Sequence, residues 1–169
     1  MNIYLHLSIH LILSFVPGII AWRIWGKKWP AIIAGVIGGA LIDLDHFIEY
    51  FLVFGWHFNY QYFMKGYQFL GSEYAYVIFH AWEYVAILLF LVLLFKNKTL
   101  KTILFALALG FFVHLMADSI INDLSFATYS IIYRAKNEFQ IERLSSPRSY
   151  AKHLKDREWF MNNIYNAKK

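Results

Sequence analysis

The stretch Gly35-Val36-Ile37-Gly38-Gly39-Ala40-Leu41-Ile42-Asp43-Leu44-Asp45-His46-Phe47-Ile48-Glu49 decides how this chain is read. Its first half is small and apolar, and the Gly35-x-x-x-Gly39 spacing lets a neighbouring helix pack closely, as helices do in a membrane. Its second half sets Asp43, Asp45, His46 and Glu49 inside an apolar run. An ionisable side chain at membrane depth costs about 3 kcal/mol or more, so such residues normally face a bundle interior and bind or move something.

Outward from this stretch the pattern repeats. His6 and His10 lie in the apolar segment Ile3–Trp22, His80 and Glu83 in Val77–Phe95, and His114 and Asp118 in Thr102–Tyr133. Each segment is about long enough to cross a bilayer, which takes roughly 20 residues. The composition agrees: 59% of the 169 residues are hydrophobic, 20% aromatic and only 16% charged. A soluble domain carries about a quarter charged residues.

The expected fold is an all-α integral membrane bundle of four transmembrane helices, located in the cell (inner) membrane. The second span is Ala31–Gly55. The last run exceeds what one span needs, so it either projects into water or breaks near Asn122-Asp123-Leu124-Ser125 into a span and a fifth, short helix. Residues 1–133 form the transmembrane domain with the polar site, and residues 134–169 a charged C-terminal tail. The first segment has no basic lead-in and no small-residue cleavage site, so it reads as a retained helix rather than a signal peptide. Pro17-Gly18 is placed to kink it. The aromatic connection Trp56–Tyr76 reads as interfacial, because Tyr and Trp favour the headgroup region.

The formal charge of +5 comes mostly from the tail. Beside membrane spans a basic tail points to membrane lipid, with anionic headgroups as partner, and no nucleic acid is expected. The absence of cysteine excludes thiolate zinc, iron–sulfur, disulfide and thiol-nucleophile chemistry. Any metal must be held by nitrogen and oxygen.

Depth ties the polar residues together. With helices alternating in direction, the start of span one, the end of span two, the start of span three and the end of span four share one level. His6/His10, Asp43–Glu49, His80/Glu83 and His114/Asp118 occupy those four positions. His6 and His10 are four apart on a helix, as are His114 and Asp118, and His80 and Glu83 are three apart, so each pair shares a face. Imidazole with carboxylate suits a divalent metal, zinc first and manganese or iron next. The candidate ligands are His6, His10, Asp43, Asp45, His46, His80, His114 and Asp118. Asp43 or Glu83 is the candidate general base.

Gly39-Ala40-Leu41-Ile42-Asp43-Leu44-Asp45-His46 resembles the G-A-L-L-P-D-x-D-H pattern of the YdjM-like family of membrane-bound metal-dependent hydrolases. Ile42 stands where that pattern favours proline. The family also carries an N-terminal histidine, a histidine opening a later span and an H-x-x-x-D near the last one. His6 or His10, His80, and His114 with Asp118 stand in those places. The family is distantly similar to the zinc-dependent phospholipase C and single-strand nuclease superfamily, whose H-x-x-x-D pairs ligate zinc. The resemblance implies hydrolysis of a phosphoester or related anionic, lipid-like substrate by metal-activated water. Two alternatives use the same residues: an ion or proton transporter, and a structural membrane protein that binds metal without hydrolytic activity.

Overall fold

The computed structural model describes residues 3–40, 42–122 and 124–165. Leu41 and Asp123 lie outside the described residues, and with Asp123 part of the expected break. In chain order the helices are α1 (Ile3–Trp25), α2 (Lys28–Ala40), α3 (Asp45–Phe54), α4 (Tyr60–Met64) and α5 (Tyr67–Gly71). They continue as α6 (Trp82–Leu94), α7 (Lys98–Ile121), α8 (Ile131–Lys136), α9 (Ile141–Leu144) and α10 (Pro147–Phe160). Tight single turns occupy Ile42–Leu44 and Phe126–Tyr129. No strand occurs among the described residues; Tyr74 and Gln140 form one isolated bridge. The chain is all-α, as expected.

Four spanning helices were expected; two helices, α1 and α7, are long and apolar enough to cross a membrane, or three if α2 and Ile42–Phe54 count as one broken span. The second expected span is interrupted after Ala40. The third is shorter than its apolar composition suggested. Residues 77–81 are not helical, and α6 runs for 13 residues, about 20 Å of rise against the ~30 Å of a hydrocarbon core. The fourth run ends as a helix at Ile121, directly before the residues where a break was expected.

The chain divides into two compact units. The first unit comprises Met1–Asp43 and Phe79–Ile131. In it α1, α2 and α7 pack on one another, and α6 packs on α7. The glycines explain how closely. A Cβ added at Gly38 would lie 2.6 Å from the Leu107 carbonyl oxygen, and one at Gly39 would lie 2.6 Å from the Ser14 Cβ. Gly35 meets the backbone of Gly18 in the same way, at 2.6 Å from its nitrogen. Ala21, Ala31, Ala34 and Ala106 continue this small-residue seam. Near the site, Ile42, Val85, Leu115 and Tyr129 form a second buried cluster. The outward residues Ile12, Phe15 and Ile19 of α1 and Ile87, Phe90 and Leu93 of α6 stay apolar and exposed.

The second unit comprises Leu44–Ile78 and Ile132–Lys169. The charged tail is therefore no loose appendage. Ala75 N–H donates to the Phe139 carbonyl at 2.9 Å, and Ile141 N–H to the Glu73 carbonyl at 2.9 Å. Phe160 is fully buried and its ring meets those of Phe54 and Tyr67. Part of the aromatic connection, expected at the membrane interface, thus builds this unit's core: Phe63 stacks on Phe47 and Tyr67 is buried, while Trp56 is exposed. Glu49 is spent internally. Its Oε1 accepts the backbone N–H groups of Tyr76 and Val77. Val77 sits at φ 29°, a left-handed conformation that is costly for a β-branched residue. The Glu49 carboxylate on its N–H and the Arg134 guanidinium, 3.1 Å from its carbonyl oxygen, hold it there.

Candidate metal centre

Within the first unit, six of the expected site residues converge. α1 supplies His6 and His10 from one face, and α7 supplies His114 and Asp118 from one face. Asp43 comes from the turn that follows α2, and His80 from the non-helical residues leading into α6. The break after Ala40 has a chemical use. The last carbonyls of a helix have no partner within it, and the Gly39 carbonyl oxygen lies 2.8 Å from His114 Nδ1. A carbonyl can only accept, so Nδ1 carries a proton and Nε2 is the ring nitrogen that faces the site.

Four donor atoms face one another there: Asp43 Oδ1, His80 Nε2, His114 Nε2 and Asp118 Oδ2. His114 Nε2 is 3.2 Å from His80 Nε2, 3.4 Å from Asp43 Oδ1 and 3.4 Å from Asp118 Oδ2. His80 Nε2 is 3.3 Å from Asp43 Oδ1 and 3.5 Å from Asp118 Oδ2. Donors held at 2.0–2.1 Å around a tetrahedral ion stand about 3.3–3.4 Å from each other. These spacings match. Without a cation or an added proton, lone pairs and carboxylate oxygens would simply oppose one another in a buried space. His80, His114 and Asp118 are buried and Asp43 is half-buried. The group Asp43, His80, His114 and Asp118 could hold a metal ion.

Asp118 also serves a second group. Its Oδ1 lies 3.1 Å from His10 Nε2 and 3.4 Å from His6 Nε2. His6, His10 and Asp118 together place one donor atom each within 4.8 Å of the others, close enough to share an ion. The carboxylate thus offers one oxygen to each group.

The remaining candidates take other places. Glu83 does not share a helix face with His80, because the helix starts only at Trp82. Its Oε1 accepts from Ser130 Oγ, and its Oε2 accepts from Ile131 N–H at 3.2 Å. It fastens the chain entering α8 rather than lining the metal centre. Asp45 and His46 open α3 in the second unit, with His46 Nδ1 3.4 Å from Asp45 Oδ1. Asp45 is buried and His46 half-buried. One contributor escaped the sequence. The Gly39 carbonyl is a main-chain group with no signature in a side-chain pattern. Tyr129, in the turn after α7, packs its ring 6.4 Å from that of His80. A scan against protein-family models finds no match for this chain, and searches of curated proteins and of solved structures find none either.

Proposed function

We propose that this protein is a membrane-embedded, metal-dependent hydrolase that cuts a phosphoester or related anionic bond in a lipid-like substrate, as its likeness to the YdjM-like family suggests. The observation that carries the reading is the ring of Asp43, His80, His114 and Asp118 donors, with edges of 3.2–3.5 Å, at the end of an apolar helix bundle. The exposed apolar faces of α1 and α6 support the membrane setting, since a soluble monomer rarely leaves such patches open. In this reading α1 and α7 cross the bilayer, α2 with Ile42–Phe54 forms a broken span, and α6 completes the bundle.

Zinc fits the nitrogen and oxygen donors and the near-tetrahedral spacing best, with manganese or iron next. A metal seated there supplies Lewis acidity, acidifying water and polarising the bond to be cut. The chain's own residues do the rest. The Gly39 carbonyl holds the His114 ring in the tautomer that presents Nε2. Asp43, with 16% of its side chain exposed against 5% for Asp118, is the ligand that would give up its position to a water and then take that water's proton, leaving His80, His114 and Asp118 as the three protein donors.

The test is a phosphoesterase assay on detergent-purified, zinc-loaded protein, with phosphatidylglycerol, phosphatidic acid and a chromogenic phosphodiester as substrates. The expected result is product release that needs the metal and disappears in His114→Ala. Bound metal with no product from any of the three substrates would contradict hydrolysis and favour a structural metal site.

A further inference from the structure

We propose that the outer face of α10 is a docking surface for anionic membrane lipid. At 3.6 residues per turn, Arg148, Lys152, Lys155 and Trp159 fall within an arc of about 60°. All four are exposed, Trp159 at 51%. Most of the packing lies on the other side of the helix, and at the end of the stripe the Trp159 ring, half exposed, also lies 6.4 Å from that of Tyr67. Phe160 is buried in the aromatic core of the second unit, and Arg157 pairs with Glu73 at 3.1 Å. The charges of α10 are thus sorted. Arg157 is used internally, whereas Arg148, Lys152 and Lys155 make no ion pair among the described residues.

The helix is built to hold this stripe. Ser146 accepts the Ser149 N–H at 3.2 Å, and Pro147 occupies the first turn, where its missing N–H costs nothing. Three cations on one face match the phosphates of an anionic leaflet, and a tryptophan at the end of the stripe suits the headgroup region. Asp156 and Glu158 lie on the flanks of the stripe, outside its arc. A lipid surface fits better than a nucleic acid because of tethering. The chain between Ile121, the end of an apolar helix long enough to cross a bilayer, and Pro147 cannot extend beyond about 90 Å. A surface within reach of a short tether is met at high effective concentration.

The inference rests on the membrane setting but not on hydrolysis. Because the chain has no cysteine, Ala151→Cys gives a single attachment point for an environment-sensitive fluorophore beside the stripe. The labelled full-length protein is reconstituted into vesicles of phosphatidylcholine, alone or mixed with phosphatidylglycerol. We expect a blue shift and protection from iodide quenching in the mixed vesicles only, reversed at high salt, where the Debye length shrinks to ~3 Å. Each cation near an anionic surface is worth about fivefold, so the triple variant Arg148→Gln, Lys152→Gln, Lys155→Gln should weaken docking about a hundredfold. A variant with lysine or arginine exchanged at the same three positions should dock like the parent and keeps the test independent of folding. Equal quenching in both vesicle types overturns the proposal, as does protection by RNA and not by lipid. A chain that floats with neither vesicle overturns the membrane setting as well.

Discussion

Asp118 is the residue on which the centre turns. One oxygen faces His6 and His10, the other His80 and His114, so one carboxylate ties three separate segments of chain together. The other acid near this end of α6, Glu83, does a different job, and a single substitution separates the two. Glu83→Gln places an amide NH2 against a donor, and should cost about 1–3 kcal/mol of stability while metal content stays at the parent level. Thermal denaturation and elemental analysis on the same preparation check this; loss of activity at unchanged stability would make Glu83 the base instead. The pairs His6/His10 and His114/Asp118 are legible in the sequence because their spacing repeats a helical turn and their helices form. His80 with Glu83 misled because the helix begins after His80, and nothing in its apolar neighbours marks that start. In the second unit, burial, and then the Arg157 cation, pushes the His153 pKa below its ordinary 6.5, with Asp156 opposing. The unfolded chain therefore takes up this proton first. Stability from His153 is full above pH ~6.5 and falls as the pH drops through the lowered folded value. NMR titration should find the folded pKa below 6.5, and His153→Asn should flatten that part of the stability profile; a titration at or above 6.5 would refute it.

At the scale of elements, the bundle is specified by what is missing from its seams. Gly38 and Gly39 bring the end of α2 against α7 and α1, and the same approach brings the Gly39 carbonyl within 2.8 Å of His114. Packing and ligand geometry are therefore coupled. Gly38→Ala would set a methyl 2.6 Å from the Leu107 carbonyl oxygen, a backbone group that cannot swing aside. The expected cost is about 1–3 kcal/mol together with reduced metal content, whereas Ile37→Ala, at an exposed position, should change both little. Equal effects at the two positions would sink the coupling. The small-residue seam is readable from the Gly-x-x-x-Gly spacing alone. The interruption after Ala40 and the short α6 are not, because hydrophobicity reports what a segment dissolves in rather than where its helix begins. Val77 shows the reason: its N–H goes to Glu49, a partner 28 positions away that no local pattern reveals.

At the scale of the molecule, the two candidate metal-binding groups, which share Asp118, draw their donors from α1, the turn after α2, the lead-in to α6, and α7, all within one compact unit. An all-α chain with a polar cluster at one level is legible from segment order and length. The folding of the charged tail with residues 44–78 is not, since its contacts, such as Phe160 with Phe54 and Ile141 with Glu73, join segments far apart in sequence. Ligands that face one another across helices repel when empty, so the ion and the fold should stabilise each other. The central claim is that Asp43, His80, His114 and Asp118 bind a transition metal. It is tested most directly by elemental analysis of the detergent-purified protein after metal loading and desalting, beside His114→Ala and Asp118→Asn chains shown to be helical by circular dichroism. The account predicts at least one zinc, manganese or iron per parent chain and none above background in either variant. A metal-free parent under every loading condition, or variants that keep the parent's full complement, would contradict it.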